Sequence, residues 1–223
     1  MPGLITHIYI AKHISKRKDF LLGNVLPDTT LLIVRDRKHI LSLKLANILM
    51  RNKKTRYVGA GIKTHVLVDK YMHPHYVLKK AAKLSRKIDL DIDLAHGAIE
   101  SAMGRLLLKK YPELKKELRD AIKSVSDEEV VSYLKEVIYE REDKILEAVR
   151  DARKIGLLKN PYSFAGLIKK LIVYKKYKSM KVAKLKFRNP LTVMKNAKNI
   201  VEEDYMEYLN KCIEIGKKTI KNL

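Results

Sequence analysis

All seven histidines of this 223-residue chain lie within its first 96 positions, and several of them stand four residues from a carboxylate. The stretch from His65 to His73 reads HxxxDxxxH with Asp69 at its centre, and His96 and Glu100 form an HxxxE pair. Residues at i, i+4 and i+8 lie on one face of an α-helix. Both spacings therefore predict helices that present metal ligands.

A single histidine on an apolar helix face is more often a hydrogen-bonded core residue than a metal ligand. His65 and Asp69 differ because three aliphatic residues lie between them, and burial of an imidazole with a carboxylate is costly unless the two groups pair or bind a cation. The further pattern at His73 and at the HxxxE pair favours a metal site. His75 is an alternative to His73 as a ligand.

The cysteine content limits the kind of metal site. Cys212 is the only cysteine, so an intrachain disulfide and a thiolate zinc cluster are both excluded, and any metal must be held by imidazole and carboxylate groups. The N-terminal residues lack the features of a signal peptide, and no apolar run approaches the roughly 20 residues needed to span a bilayer. These features predict a soluble, cytoplasmic protein rather than a transmembrane one.

The net charge of +23 is unevenly distributed. Residues 152–201 contain fourteen Lys or Arg and no Asp or Glu, and Tyr174, Tyr177 and Phe187 lie among the basic residues. A segment of this kind suits phosphate backbones or anionic head groups. The alternative is a lysine-rich, solvated surface, but the lack of glutamate over fifty residues favours an anionic partner.

The apolar residues recur with a helical period almost throughout, which predicts an all-α fold. We expect helices over about 4–16, 37–51 and 58–72 and from about residue 93, one from the capping box at Ser126 to about residue 153, and a last one opening at Asn189. Pro27 should leave Asp28 on a loop or at a helix entry, and His73 should end a helix because a proline follows it.

No repeat or flexible linker marks a domain boundary. The pattern predicts one multi-helix domain over residues 1–223. Within it, a metal-bearing core of about residues 1–125 would pack against a basic helical extension of about residues 126–223.

Four motifs follow one another in the first half of the chain: the start from Pro2 to His7, the phrase LGNVLPD ending at Asp28, the HxxxDxxxH phrase, and Ala95-His96 with its HxxxE spacing. In this order they resemble the zinc-dependent phospholipase C family, especially the catalytic domain of glycosylphosphatidylinositol-specific phospholipase D. The chain is more distantly similar to the fungal single-strand-specific zinc nucleases. The resemblance covers roughly residues 2 to 105 and implies the family's all-helical fold and trinuclear zinc centre.

The resemblance also implies a ligand set for up to three zinc ions. One ion would be held by Asp28, His39, His65 and Asp69, a second by His73, His96 and Glu100, and a third by His7, Asp69 and the N-terminal amine. Removal of Met1 would expose Pro2 as that amine. His39 is assigned on its position alone, since no strong motif flanks it, and manganese or iron could replace zinc at such a site.

Phosphodiester hydrolysis is the chemistry that such a cluster would perform, because bound metal ions activate water and neutralise phosphoryl charge. Asp28 and Asp69 are the predicted catalytic residues: Asp28 would orient the water or accept its proton, and Asp69 would bridge metals. By resemblance, a phospholipid or glycosyl-inositol phosphate is the first substrate class and single-stranded nucleic acid the second. The alternative is a non-enzymatic, basic binding protein for nucleic acid or anionic surfaces with a structural metal site. Phosphohydrolases built on adjacent His-Asp ligands are excluded because no histidine here precedes an aspartate.

Overall fold

The computed structural model describes the backbone of residues 3–30, 38–156 and 189–221 and the side chains of residues 3–28, 40–154 and 189–221. These ranges contain eleven α-helices and no β-strand, so the all-α prediction is confirmed for them. In chain order the helices are α1 (Leu4–Ile14), α2 (Lys18–Thr30), α3 (Lys38–Arg51), α4 (Arg56–Met72), α5 (Leu78–Ile88), α6 (Ile92–Lys110), α7 (Leu114–Lys123), α8 (Asp127–Lys135), α9 (Glu142–Gly156), α10 (Pro190–Val201) and α11 (Tyr205–Ile220).

Helix α4 occupies the middle of the described fold and packs most extensively against α2, α3 and α11. One cluster of buried side chains joins α1, α4, α6 and α11 and includes Ile8 and Leu209. A second cluster lies between α2, α3, α8 and α9 and includes Leu45 and Val130. Because the ends of the chain share the first cluster, the N-terminal helices are held by residues about 200 positions away in sequence.

Glycines allow α2 and α4 to touch backbone to backbone. A Cβ atom on Gly23 would lie 2.1 Å from the carbonyl oxygen of Val58, and one on Gly61 would lie 2.2 Å from that of Phe20. Neither carbonyl can move away without disturbing its own helix. Any larger residue at either position would therefore separate the two helices.

Asp28 lies inside α2 rather than on a loop or at a helix entry, so that prediction is wrong. Pro27 also lies within the helix. A proline at this position removes the N–H that would bond to the carbonyl of Gly23. The close packing of α2 on α4 holds the helix together across that missing hydrogen bond.

The prediction that His73 stands at the end of a helix is confirmed for α4, which ends at Met72 with His73 as its C-cap, but the chain does not turn away there. His73 keeps helical dihedral angles (φ −62°, ψ −60°), and a π-helical turn from His73 to Val77 carries the chain directly from α4 into α5. The Leu78 N–H donates to the carbonyl of His73, five residues back, so the wider turn accommodates Pro74. The chain therefore keeps its helical course past His73.

Two further boundaries differ in part from the sequence prediction. The Ser126 hydroxyl accepts a hydrogen bond from the Glu129 N–H at 3.0 Å, which confirms the cap, but its helix ends at Lys135 instead of about residue 153. The chain leaves the helix there and buries Val137 and Ile138 before α9 begins. Asn189 caps α10 as predicted, although α11 follows it.

No helix in the described ranges is long and apolar enough to cross a membrane. The proposed division at about residue 125 stays a prediction. Most of the acid-free segment 152–201 lies outside the described residues, as do Tyr174, Tyr177 and Phe187.

Candidate metal centre

Three helices bring the first group of candidate ligands together. α1 supplies His7, α2 supplies Asp28, and α4 supplies His65 and, one turn later, Asp69. All four side chains are completely buried. Charged or polar groups at this depth must pair with one another or bind a cation.

The atoms of the first group face one another. The Nε2 atom of His7 lies 3.1 Å from Oδ1 of Asp69, and that of His65 lies 3.2 Å from Oδ2 of the same carboxylate. Oxygens of Asp28 lie 3.9 Å from the His7 Nε2 and 3.7 Å from the His65 Nε2. The two imidazole rings stack with centroids 4.0 Å apart, so both direct Nε2 to the same side.

The spacing of these atoms fits a metal ion. Four donors arranged tetrahedrally at about 2.0–2.1 Å from zinc stand about 3.3 Å from one another. The nitrogen-to-oxygen distances of 3.1–3.9 Å lie close to that value. The Nε2 atoms of His7 and His65 also make no well-aligned hydrogen bond in the described residues. His7, Asp28 and His65 thus meet the geometric requirement for a metal-binding group, with Asp69 beside them.

A backbone carbonyl fixes the orientation of His65. Its Nδ1 atom lies 2.7 Å from the Asn24 oxygen, a distance at which Nδ1–H donates and the Nε2 lone pair is left for a metal. The Asn24 side chain donates from Nδ2 to the Gly61 carbonyl at 3.1 Å. Gly61 precedes His65 by one helical turn, and Asn24 precedes Asp28 by one turn, so these contacts set the register of the two ligand-bearing helices.

The second group consists of His73, His96 and Glu100. Oε1 of Glu100 lies 2.8 Å from Nε2 of His96 and 3.5 Å from Nε2 of His73. The two imidazole rings are perpendicular, with centroids 5.2 Å apart. The histidine side chains are 22–23% exposed whereas Glu100 is almost completely buried, so this group forms the accessible side of the described cluster.

The π-helical turn and a helix cap position the second group. Tyr76 in that turn donates to the Asp204 carboxylate at 2.6 Å, which fastens it to the connection between α10 and α11. At the start of α6, the Asp91 carboxylate accepts from the N–H groups of Asp93 and Leu94. His96 and Glu100 then follow one turn apart on α6.

Asp69 lies between the two groups. Its Oδ1 atom is 3.1 Å from the His7 Nε2 in the first group and 4.0 Å from the His73 Nε2 in the second. A carboxylate in this position can bind two cations at once. The two groups are therefore parts of one cluster.

The electrostatics of the cluster favour the ionised forms of Asp69 and Glu100. Burial alone would raise the pKa of Asp69, but His65 and His7 outweigh it and hold that pKa well below its usual range. Burial opposes ionisation of Glu100 likewise, and His96 and His73 lower its pKa well below normal. Burial, reinforced by His7, lowers the pKa of His65, which keeps its imidazole neutral and able to bind a metal.

No family model, curated protein or solved structure matches this chain. The site must therefore be interpreted from its own geometry.

The structure brings seven of the nine predicted ligands together: His7, Asp28, His65, Asp69, His73, His96 and Glu100. His7 lies with Asp28 and His65, whereas the resemblance assigned it to a third ion. Pro2 and the side chain of His39 lie outside the described residues, so that third ion and the role of His39 stay predictions.

The remaining histidines with described side chains lie outside both groups. His75 is exposed and contacts the Tyr71 ring, so His73 is the ligand candidate of that pair. His13 is exposed as well. Burial, with a smaller contribution from Asp69, raises the pKa of Cys212 to about 12, and its thiol stays protonated.

Sequence reasoning missed Asn24, whose backbone carbonyl orients His65 and whose side chain ties α2 to Gly61 of α4. Its position in the phrase LGNVLPD, one turn before Asp28, was a usable signal. The partner could not be read from the sequence, because the Asn24–His65 contact spans 41 positions.

Proposed function

We propose that this protein is a metal-dependent phosphodiester hydrolase of the zinc phospholipase C type. The observation that carries the proposal is the convergence of four histidines and three carboxylates, from four helices and the π-helical turn, in two groups joined by Asp69. A structural pairing of one histidine with one carboxylate would need fewer residues. An array of seven suits a cluster of cations.

The residues of each group have distinct tasks. His7, Asp28 and His65 would hold one ion, His73, His96 and Glu100 another, and Asp69 would contact both. Zinc ions at these positions would supply a Lewis acid and a water molecule with a pKa lowered towards about 7. Asp28 would orient that water or accept its proton, and a phosphodiester would enter beside the partly exposed His73 and His96.

The order of the motifs makes a phospholipid or glycosyl-inositol phosphate the first substrate class to examine. All members of that class share the reacting unit, a phosphodiester with one alkoxide leaving group. The test therefore begins with a small diester that requires no head-group recognition.

Elemental analysis of the untagged protein, with its N-terminal residue determined by mass spectrometry, tests the cluster directly. We expect two or three zinc ions per chain, three where Pro2 is exposed. Hydrolysis of bis(p-nitrophenyl) phosphate should stop with chelator and return with zinc. The proposal would be overturned if no metal is bound after reconstitution, or if the rate of hydrolysis is the same with and without chelator.

A matched pair of histidine variants adds a control. His65→Ala removes a buried ligand and should abolish both zinc binding at the first group and hydrolysis. His13→Ala removes an exposed histidine outside both groups and should leave both unchanged. Equal activity in the two variants would contradict the assignment.

A further inference from the structure

The π-helical turn from His73 to Val77 carries a ligand of the second group in an uncommon backbone conformation. The Leu78 N–H bonds to a carbonyl five residues back, so the turn holds one residue more than an α-helical turn. An α-helix is the usual alternative for such a segment, and contacts outside the turn are needed to keep the wider form. Those contacts therefore affect where His73 points.

The backbone has a larger part in orienting His73 than in orienting His65. The Nδ1 atom of His65 is held by the Asn24 carbonyl at 2.7 Å. Within the described ranges, no hydrogen bond holds the Nδ1 atom of His73, whose side chain is 23% exposed. The 3.5 Å approach of its Nε2 atom to Glu100 therefore depends on the conformation of the turn.

Tyr76 fastens the turn to the C-terminal helices. Its side chain is buried, and its ring stacks on Tyr208 of α11 with centroids 4.3 Å apart. Its hydroxyl donates to Oδ1 of Asp204 at 2.6 Å and lies 3.3 Å from the Val201 carbonyl oxygen. Burial and the hydrogen bond to Asp204 raise the pKa of Tyr76, so the hydroxyl stays protonated and acts as the donor.

Asp204 also binds the start of α5. Its Oδ2 atom accepts from Nζ of Lys80 at 2.5 Å while Oδ1 accepts from Tyr76, so one carboxylate spans the junction between the turn and the helix. Without the extra residue of the π-helical turn, α5 would be rotated by about 100° about its axis relative to α4. Lys80 would then no longer face Asp204. The two hydrogen bonds therefore favour the π-helical form.

The position of Asp204 is fixed by the core. Asp204 lies in the short connection between α10 and α11, and the flanking residues Val201 and Tyr205 are buried in one cluster of side chains. Burial opposes ionisation of Asp204, but the hydrogen bonds from Lys80 and Tyr76 outweigh it and lower its pKa. Both hydrogen bonds are consequently charge-assisted, which makes them stronger than neutral ones.

We propose that Asp204 is a positioning residue for the second metal group. By holding Tyr76 and Lys80, it keeps the π-helical turn in the conformation that directs His73 at the other ligands of the group. Its oxygens bind these two side chains, so Asp204 acts through the turn. The proposal rests on the proposed function and extends the metal site to the C-terminal helices, since the contact between Tyr76 and Asp204 spans 128 positions.

Two tyrosine variants test the link with a matched control. Tyr76→Phe removes the hydroxyl that binds Asp204 and keeps the ring on Tyr208. Tyr133→Phe removes a hydroxyl that donates to the Glu129 carboxylate on α8, a helix that carries no candidate ligand. Zinc affinities of the full-length proteins are measured by competition with the chromophoric chelator 4-(2-pyridylazo)resorcinol.

The Glu100→Gln variant identifies which zinc affinity belongs to the second group, because that affinity should be missing from it. We expect Tyr76→Phe to weaken zinc binding at the second group by about tenfold and to leave the first group unchanged. Tyr133→Phe should change neither affinity. Wild-type affinity at the second group in Tyr76→Phe would overturn the proposal. An equal loss at both groups would overturn it as well, because it would show a general loosening of the fold.

Two variants of Asp204 test the carboxylate itself. Asp204→Ala removes both hydrogen bonds and should weaken the second group at least as much as Tyr76→Phe does. Asp204→Asn keeps an oxygen that can accept from Tyr76, so it should restore most of the lost affinity. Wild-type zinc affinity in Asp204→Ala would overturn the proposal, and Tyr76→Phe decides the question if Asp204→Ala does not fold.

Hydrolysis of bis(p-nitrophenyl) phosphate separates this proposal from the proposed function. If the wild-type protein hydrolyses the diester and the Tyr76 and Asp204 variants bind zinc normally, the hydrolase stands and the role of Asp204 is rejected. If zinc binding at the second group depends on Tyr76 and Asp204 but the zinc-loaded wild-type protein hydrolyses no diester, the role of Asp204 stands and the hydrolase is rejected.

Discussion

Asp69 is the residue on which the two halves of the cluster depend, because its oxygens face His7, His65 and His73. The Asp69→Asn variant keeps the size of the side chain but removes its charge. We expect it to lose metal from both groups and to reduce diester hydrolysis by at least about 100-fold. Glu100→Gln is the comparison, since it should empty the second group and leave the first loaded.

Elemental analysis of the two variants distinguishes these outcomes. A bridging role predicts fewer ions in Asp69→Asn than in Glu100→Gln. If both variants lose the same number of ions, Asp69 does not serve both groups.

The carboxylates also make stability depend on pH. The folded-state pKa of Glu100 is depressed, so in acid the unfolded chain takes up a proton that the folded chain does not. Its stabilising contribution is present above the unfolded pKa of about 4.3 and is lost as the pH falls through the folded value. The same sign applies to Asp69.

Urea denaturation between pH 5 and pH 3, with chelator present, measures this contribution. The wild-type midpoint should fall with acid more steeply than that of Glu100→Gln, which has no group to titrate at that position. Parallel curves for the two proteins would show that Glu100 is not held ionised by its histidine neighbours.

At the scale of helices, the contact between α2 and α4 decides whether the first group forms. Gly23 and Gly61 let the helices meet, and Asn24 fixes their register through Gly61 and His65. Asn24→Leu removes the side-chain donor to Gly61 and keeps the branching of the side chain, while the backbone carbonyl that accepts from His65 stays in place. We expect it to destabilise the fold by about 1–3 kcal/mol and, by shifting the register of the two helices, to weaken metal binding by about tenfold.

Thr64→Val is the control for a merely structural loss. It breaks the 2.8 Å hydrogen bond between Thr64 and Thr219, beside His65 but on the side of α11. With cobalt in place of zinc, the visible absorption spectrum should change in Asn24→Leu and stay unchanged in Thr64→Val. Identical spectra in all three proteins would show that the Asn24 side chain supports the fold without setting the helix register that positions His65.

The same helices show how far the sequence alone could reach. The helical period and the HxxxD and HxxxE spacings are local, and they predicted the all-α fold and the ligand pairs on α4 and α6. Pro27 misled the prediction because tertiary packing keeps it within α2, whereas Pro74 correctly marked the end of α4 and only the π-helical turn beyond it was not predicted. The grouping of His7 with Asp28 and His65 depends on the contact of separate helices, which no local pattern encodes.

Across the whole molecule, the net charge is +23, and the excess Lys and Arg side chains repel one another. The ion pairs seen on the described surface are mostly exposed and contribute little each. Added salt shortens the Debye length from about 10 Å at 0.1 M to about 3 Å at 1 M, and this screening weakens the long-range repulsion. Added salt should therefore stabilise this protein.

We expect the thermal midpoint to rise by about 2–4 °C between 0.02 and 0.5 M NaCl, corresponding to about 1 kcal/mol for a chain of this length. A variant with Lys116→Glu, Arg119→Glu and Lys123→Glu, all exposed on α7, lowers the net positive charge, so its midpoint should rise less over the same range. Scanning calorimetry of both proteins tests this directly. A wild-type midpoint that falls with salt would mean that the exposed ion pairs outweigh the excess positive charge, and that the basic surface is already balanced within the folded chain.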